Sequence, residues 1–151
     1  MTQKEIIEQF YTAFQTLDAE TMVSFYHDDI EFTDPAFGTL HGNDAKNMWR
    51  MICSRAKGFS LEYNQVTETS AHWEPTYIFS ATSNTVINKI NATFEFKDGK
   101  ISKHTDVFDL HQWASQAMGL KGRLLGGTKF FKTKLNKQTK QLLASYTKKH
   151  A

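Results

Sequence analysis

The most informative stretch of the chain is Ile101-Ser102-Lys103-His104-Thr105-Asp106-Val107-Phe108-Asp109. Its alternation predicts a strand that runs into a helix cap at Asp109. One face then holds His104, Asp106 and Phe108, and the other holds Ile101, Lys103, Thr105 and Val107. Since a strand rises about 3.3 Å per residue, His104 and Asp106 are expected roughly 7 Å apart on one face.

The preceding hairpins indicate which face points inward. A two-residue turn at Ser83-Asn84 would pair Phe79 with Asn88, Tyr77 with Ile90 and Trp73 with Phe94, on an almost wholly apolar face. In the next hairpin we favour a three-residue loop, Lys97-Asp98-Gly99, because glycine in third place is typical of a bulged turn.

That loop predicts His104 opposite Ala92 and Asp106 opposite Ile90, on the inner face. A two-residue loop at Asp98-Gly99 would shift the register by one residue and turn both side chains outward. The candidate site therefore depends on the register of this hairpin.

Length and composition predict one globular domain. The 151 residues suffice for a core, and the hydrophobic content is 40%, with 13% aromatic residues. The N-terminus lacks the pattern of a signal peptide, and no apolar run reaches membrane-spanning length. With Cys53 as the only cysteine, no internal disulfide is available, and we expect a reducing cytoplasm.

Charge divides the chain into an acidic body and a basic tail. All 16 acidic residues lie in 1–122 beside ten basic residues, a net charge of −6. Residues 123–151 carry eight basic residues and no acidic one. This asymmetry indicates a separate role for the tail.

The order of predicted elements is helices, then strands, then helices. Thr2-x-x-Glu5 predicts a capping box for a helix over 3–16, and Asp18 predicts a second cap before a short helix that includes Tyr26. A strand follows at 30–34, a helix after Asn43, strands from 59 to 108, and a basic helix near 128–148. The pattern predicts an α+β fold, a curved, mostly antiparallel sheet packed against N-terminal helices.

Several short motifs together resemble the SnoaL-like branch of the nuclear-transport-factor-2-like superfamily. They are Phe32-Thr33-Asp34-Pro35, Gly38 and Gly42, Asn88-x-Ile90, Phe94-x-Phe96-x-Asp98-Gly99-Lys100-Ile101 and His104-x-Asp106-x-Phe108-Asp109. The resemblance covers roughly 3–127 and implies a cone-shaped pocket inside the sheet, often in a homodimer. The superfamily includes ketosteroid isomerases, polyketide cyclases, epoxide hydrolases, dehydratases and noncatalytic members. We divide the chain into this domain, 1–127, and a basic helical extension, 128–151.

Asp34 is the first catalytic candidate. Its position before Pro35 resembles that of the general base of ketosteroid isomerases, and apolar neighbours would raise its pKa. The alternative is an aspartate that only caps the turn. The resemblance places the isomerases' oxyanion donors at Phe10 and Ala92, which cannot donate a hydrogen bond.

His104 and Asp106 form the second catalytic candidate. A carboxylate can fix the tautomer of an imidazole that titrates near neutral pH. The alternative is a structural pair that bonds to the backbone or to Trp73. One histidine and two aspartates without a spacing motif do not predict a metal site, and we expect no cofactor.

Six residues are predicted to line the pocket and bind a small apolar molecule, with aromatic core packing as the alternative for the rings. They are Phe10, Trp49, Trp73, Tyr77, Asn88 and Phe94. Asn88 stands out as a polar residue on an apolar face, free to bind a substrate carbonyl or to bond to Asp106. An enzyme, a noncatalytic binding module and an interaction protein all remain compatible with the sequence.

The tail carries an apolar seam of Phe131, Leu135, Leu142 and Tyr146. We expect the seam to pack on its own domain or a dimer partner, with the lysines complementing the acidic body. The alternatives are contact with an anionic membrane surface or with nucleic acid, although no nucleic-acid partner is expected. A homodimer is predicted through the outward face of Ile101, Thr105 and Val107.

Overall fold

Six helices and seven strands form the protein, and the computed structural model describes all residues, 1–151. The helices are α1 Gln3–Gln15, α2 Ala19–Ser24, α3 Asn43–Arg55, α4 Leu110–Met118, α5 Leu120–Leu125 and α6 Lys129–Lys149. The strands are β1 Tyr26–Asp34, β2 Gly38–His41, β3 Ser60–Asn64, β4 Ser70–Phe79, β5 Asn84–Ile87, β6 Ile90–Lys97 and β7 Lys100–Val107. The predicted α+β class is confirmed.

One sheet holds all the strands in the order β2-β1-β7-β6-β4-β3, with β5 paired to β4. Every pairing is antiparallel except that of β1 with β7, which brings the N-terminal and C-terminal parts of the sheet together. The inner face packs against α1, α2 and α3 around 26 buried residues, most of them aromatic or aliphatic. The sheet thus encloses its core from one side.

Local signals begin the helices where the sequence predicts. Thr2 and Glu5 form the reciprocal capping box of α1, and Asp18 and Asp109 accept backbone N–H groups at the starts of α2 and α4. These side chains satisfy N–H groups that have no partner inside a helix. Tyr26 was predicted to belong to the short second helix, but it begins β1.

The β6–β7 hairpin has a shorter loop than predicted, yet its side chains face as predicted. Lys97 pairs with Lys100, so Asp98 and Gly99 form a two-residue turn with φ of +54° and +74°. A β-bulge then inserts Ser102, and beyond it Glu95 pairs with Lys103. The shorter loop alone would turn the side chains of β7 to the opposite face, and the extra residue of the bulge turns them back.

The bulge sets the register of the candidate site. His104 lies opposite Phe94, and Asp106 lies opposite Ala92, two residues from the predicted partners. Both side chains are buried, with exposed fractions of 0% and 3%. The same bulge turns Ile101 inward, where it is fully buried, so the predicted dimer face loses its largest aliphatic residue.

The β4–β5 hairpin is displaced by four residues from the predicted pairing. Phe79 pairs with Asn84 and Tyr77 pairs with Val86, so the connection spans 80–83 instead of Ser83-Asn84. Trp73 accordingly pairs with Ile90. Because an even shift preserves the alternation, the same residues still face inward.

Helix α6 packs on the body of the protein through part of the predicted seam. Phe131, Leu135 and Tyr146 are buried, but Leu143 is buried in place of Leu142, which is 52% exposed. Leu143 and Tyr146 join the main core. The chain contains no helix of the length and apolarity that crossing a membrane requires.

We expect Leu143→Ala to lower the free energy of unfolding by about 2–3 kcal/mol, because it empties a site 3% exposed in the main core. Leu142→Ala, at the adjacent exposed position, should change it by less than about 0.5 kcal/mol. Urea unfolding of both variants tests this. An effect of Leu143→Ala as small as that of Leu142→Ala would show that α6 does not contribute to the folding unit.

Candidate active site

The imidazole of His104 lies at the centre of a buried hydrogen-bond chain. Its Nδ1 is 2.7 Å from the hydroxyl of Tyr26, and its Nε2 is 2.9 Å from Oδ1 of Asp106. Trp49 donates its indole N–H to the Tyr26 hydroxyl at 2.8 Å, and Trp73 donates to Asp106 Oδ1 at 3.3 Å. Five residues from three strands, β1, β4 and β7, and from α3 are thereby joined.

One placement of protons satisfies every donor in this chain. An indole N–H only donates, so the Tyr26 oxygen accepts from Trp49 and donates its own proton to Nδ1 of His104. The imidazole is then neutral and donates from Nε2 to a charged Asp106. Burial raises the pKa of Tyr26 well above its usual value, which keeps its proton in place.

Aromatic rings enclose His104 on its remaining sides. The ring centroids of Phe94, Phe32 and Phe10 lie 4.4, 5.0 and 5.7 Å from that of His104, and Trp49 stacks at 6.0 Å. Three predicted pocket residues, Phe10, Trp49 and Phe94, therefore pack against the imidazole. With both nitrogens bonded to protein atoms and no exposed surface, His104 has no free atom to offer a substrate.

Asp34 ends β1 in a more open position. Its Oδ1 accepts the backbone N–H groups of Ala36 at 2.9 Å and Phe37 at 2.6 Å, which form the turn that the alternative interpretation predicted. Its Oδ2 has no protein hydrogen-bond partner and is not a fully buried atom. One carboxylate oxygen thus shapes the turn while the other remains available.

The surroundings of Asp34 raise its pKa to about 7, mainly through desolvation by the protein packed around the half-buried carboxyl. The negative charge of Asp106 raises the pKa further, while the hydrogen bonds from Phe37 and Ala36 oppose the rise. A carboxyl with this pKa exchanges protons near neutral pH, as a general acid or base must.

The parallel pairing of β1 with β7 brings Asp34 and Asp106 together. Phe32 lies beside His104 and Thr33 beside Thr105, so Asp34 reaches the level of Asp106 on the inner face. The two carboxyls share no hydrogen bond, and Oδ2 of Asp106, like that of Asp34, has no protein partner. The inner face therefore carries two carboxylate oxygens without a protein hydrogen-bond partner, of which that of Asp34 is the more exposed.

Two further predicted residues bond to protein atoms outside the hydrogen-bond chain of His104. Tyr77 accepts the indole N–H of Trp113 at 2.7 Å, and its pKa is raised by burial and by the charge of Asp34. Asn88, 7% exposed, accepts the backbone N–H of Lys89 at 3.1 Å through Oδ1. It does not bond to Asp106, which was one of its two predicted roles.

Residues 7–104 match the SnoaL-like domain family. This chain belongs to the SnoaL-like domain family. The match spans all strands of the sheet up to His104, and it confirms the resemblance stated from the motifs. No curated protein matches the chain.

Solved structures support the same fold. An LEH-like epoxide hydrolase from M. tuberculosis is 22% identical, with a TM-score of 0.61 over 82% of this chain and 90% of that chain. An NTF2-like protein from Burkholderia thailandensis is 18% identical, with a TM-score of 0.62 over 72% and 92%. TerC, co-crystallised with polyporic acid, is 21% identical, with a TM-score of 0.58 over 71% and 91%. At these identities the similarity establishes the fold of the SnoaL-like chain.

Tyr11 and Tyr26 were not among the site residues predicted from the sequence. Tyr26 holds the centre of the hydrogen-bond chain, whereas Tyr11 is fully buried and its hydroxyl has no partner. Burial and the charge of Asp106 raise the pKa of Tyr11 well above its usual value, so the hydroxyl remains a donor. Nothing in the helical pattern of α1 distinguishes this tyrosine from its neighbour Phe10, which is also buried.

Helix α6 borders the approach to Asp34. Asn136 donates to the backbone carbonyls of Pro35 and Ala36 at 2.9 Å, and Thr139 donates to that of Ala36 at 2.9 Å. These bonds hold α6 across the turn that Asp34 forms. The C-terminal helix therefore lies directly against the turn that follows Asp34.

Two surface cavities lie away from Asp34 and His104. A groove of about 80 Å³ separates α5 from α6, and a shallow depression of about 360 Å³ lies between α2, α3 and Tyr146 of α6. Cys53 lines the depression, and burial raises the pKa of its thiol to about 11. This thiol stays protonated at neutral pH.

Proposed function

We propose that this SnoaL-like chain binds a small apolar molecule inside the cone and that Asp34 transfers a proton in its reaction. The main support for this proposal is the carboxyl of Asp34, which has a pKa of about 7 and whose Oδ2 has no protein hydrogen-bond partner on the inner face of the sheet. Charged Asp34 would accept a proton from water or from a carbon next to a carbonyl, and the protonated carboxyl would return it.

The proposal gives His104 and Asp106 positioning roles. The imidazole is enclosed, and both its nitrogens are bonded to protein. Asp106 contributes the negative charge that raises the pKa of Asp34, and His104 and Trp73 hold its Oδ1 in place. The pair thus supports the base without contacting the reacting atoms.

Neighbouring residues supply the rest of the proposed pocket. Trp73 donates to Asp106, the charge of Asp34 acts on the pKa of Tyr77, and Asn88 is a buried polar residue. The hydroxyl of Tyr11 has no partner, and a substrate oxygen that enters the core would accept its hydrogen bond. Phe10, Trp49 and Phe94 form the apolar floor around His104. An apolar molecule with one oxygen atom suits this lining.

Noncatalytic binding is the second candidate, favoured by the hydrogen bonds of both His104 ring nitrogens to protein atoms, which leave the imidazole unable to act on a ligand. The names of two structural neighbours suggest probes for both candidates. One is an LEH-like epoxide hydrolase, and the other was crystallised with polyporic acid. We therefore propose an apolar epoxide and polyporic acid as the first molecules to test.

We expect kcat/KM for a converted substrate to rise with pH and level off above about pH 7, because Asp34 acts as a base only when it is charged. Quenching of tryptophan fluorescence measures binding separately, since Trp49 and Trp73 lie in the core. Binding without turnover across a panel of epoxides and enolisable ketones would favour the noncatalytic candidate.

The homodimer and the cytoplasmic location stay proposals. With Ile101 buried, the outward face of β7 offers Thr105 and Val107, and Val107 is 60% exposed. A dimer through this face would bury a smaller apolar area than the sequence predicted.

A further inference from the structure

An unusual concentration of exposed apolar side chains lies near the C-terminus. Nine large hydrophobic residues of the chain are exposed, and four of them lie within eleven consecutive positions. These four are Leu120 at 68%, Leu124 at 69%, Leu125 at 40% and Phe130 at 71%. Together with Lys121, Lys129 and Lys134 they are called the tail patch below.

The tail patch belongs to a rigidly packed part of the fold. Lys121, Leu125, Phe130 and Lys134 line the groove of about 80 Å³ between α5 and α6. Gly122, on the opposite side of α5, is buried so closely against the backbone of Ala114 that no Cβ fits there. This packing fixes α5 on α4 and leaves the leucines of α5 facing outward.

The C-terminal part of the chain that contains the tail patch carries only positive charge. Nine basic residues and no acidic residue follow Asp109. None of the nine forms an ion pair in the structure, so the lysines complement the acidic body through no direct ion pair. The tail therefore presents free positive charge beside exposed apolar side chains.

We propose that the tail patch docks the protein on the surface of an anionic phospholipid membrane. Leucine and phenylalanine side chains insert between headgroups, while the lysines contact the lipid phosphates. Leucines offer nothing for recognition of bases, and Phe130 is the single exposed aromatic ring of the patch, which favours lipid over nucleic acid. The acidic body would then face away from the membrane.

Co-sedimentation of the full chain with phosphatidylcholine vesicles tests the proposal, with and without about 30% phosphatidylserine. We expect binding only to the anionic vesicles, weakened by salt. Leu124→Ser with Phe130→Ser should reduce vesicle affinity at least tenfold, and Lys121→Gln or Lys134→Gln roughly fivefold each. Ile78→Ser with Ile87→Ser is the matched control, because both residues are exposed on another face.

Thermal melts confirm that each variant is folded before it is compared. The proposal is overturned if the full chain does not sediment with anionic vesicles, or if the control pair loses as much affinity as the patch variant. It is also overturned if the patch variant loses binding to RNA or self-association, while vesicle binding is unchanged. These outcomes are independent of any reaction at Asp34.

Discussion

Asp34→Asn should lower turnover of a converted substrate by at least a hundredfold, because an amide cannot accept the proton. It should also raise stability at pH 8. The folded-state pKa of about 7 lies above the ordinary value of 3.8. As pH rises from about 4 to 7, the carboxyl ionises more readily in the unfolded chain, and stability is lost.

The loss reaches at most about 4 kcal/mol above pH 7, and Asp34→Asn removes it. The amide oxygen can still accept the N–H groups of Ala36 and Phe37, so the turn is retained. Urea unfolding at pH 4, 6 and 8 should show the variant gaining stability over the native protein only as pH rises.

Two further variants separate the role of Asp34 as a base from its role in the turn. Asp34→Ala removes the acceptor of the turn and should offset part of the gain, by about 1 kcal/mol. Asp18→Asn should show the opposite pH trend, since hydrogen bonds from Thr21 lower the pKa of Asp18. Retained turnover in Asp34→Asn, or a stability gain independent of pH, would contradict the role assigned to Asp34.

His104→Phe should lower the free energy of unfolding by about 3–5 kcal/mol, although phenylalanine suits the aromatic cage. The substitution leaves the Tyr26 hydroxyl without an acceptor and leaves buried Asp106 with only Trp73 as a donor. In a chain of this length the melting temperature should fall by roughly 6–20 °C.

His72→Phe is the matched control, because His72 bonds to Asn91 and Glu74 nearer the surface. It should cost less than about 1 kcal/mol. A double-mutant cycle with Tyr26→Phe should show coupling between Tyr26 and His104, since both variants break the same hydrogen bond. Unchanged stability with lost turnover in His104→Phe would instead assign His104 to the chemistry.

In the hairpin before His104, the loop length was predicted wrongly, but the face of β7 that points inward was predicted correctly. The sequence contains the Asp98-Gly99 turn, but a glycine after aspartate suits both a two-residue and a three-residue loop. The bulge at Ser102 has no local signature, because it depends on how β7 bends to pair with β1 as well as β6. Inward burial of His104 and Asp106 was therefore predicted correctly, and their partners were not.

The hydrogen-bond partners of the site lie far apart in the chain. Tyr26 and His104 are 78 residues apart, and Trp73 and Asp106 are 33 residues apart. Trp73 was predicted as a partner for His104 and Asp106, because the faces of β4 and β7 that carry these residues were both predicted to point inward. Tyr26 was not predicted as a partner, because the sequence pattern assigned it to the short second helix, whereas it begins β1 and bonds to His104 of the neighbouring strand β7.

By itself, the sequence determined the α+β class, the helix caps and the set of side chains that face the core, because these depend on local periodicity and capping chemistry. Only the tertiary structure decided which of the three ionisable candidates is enclosed and which is available. His104 is sealed by rings from α1, α3, β1 and β6, whereas Asp34 keeps a free oxygen at the end of its strand. That difference arises from long-range packing, which desolvates one group completely and the other in part.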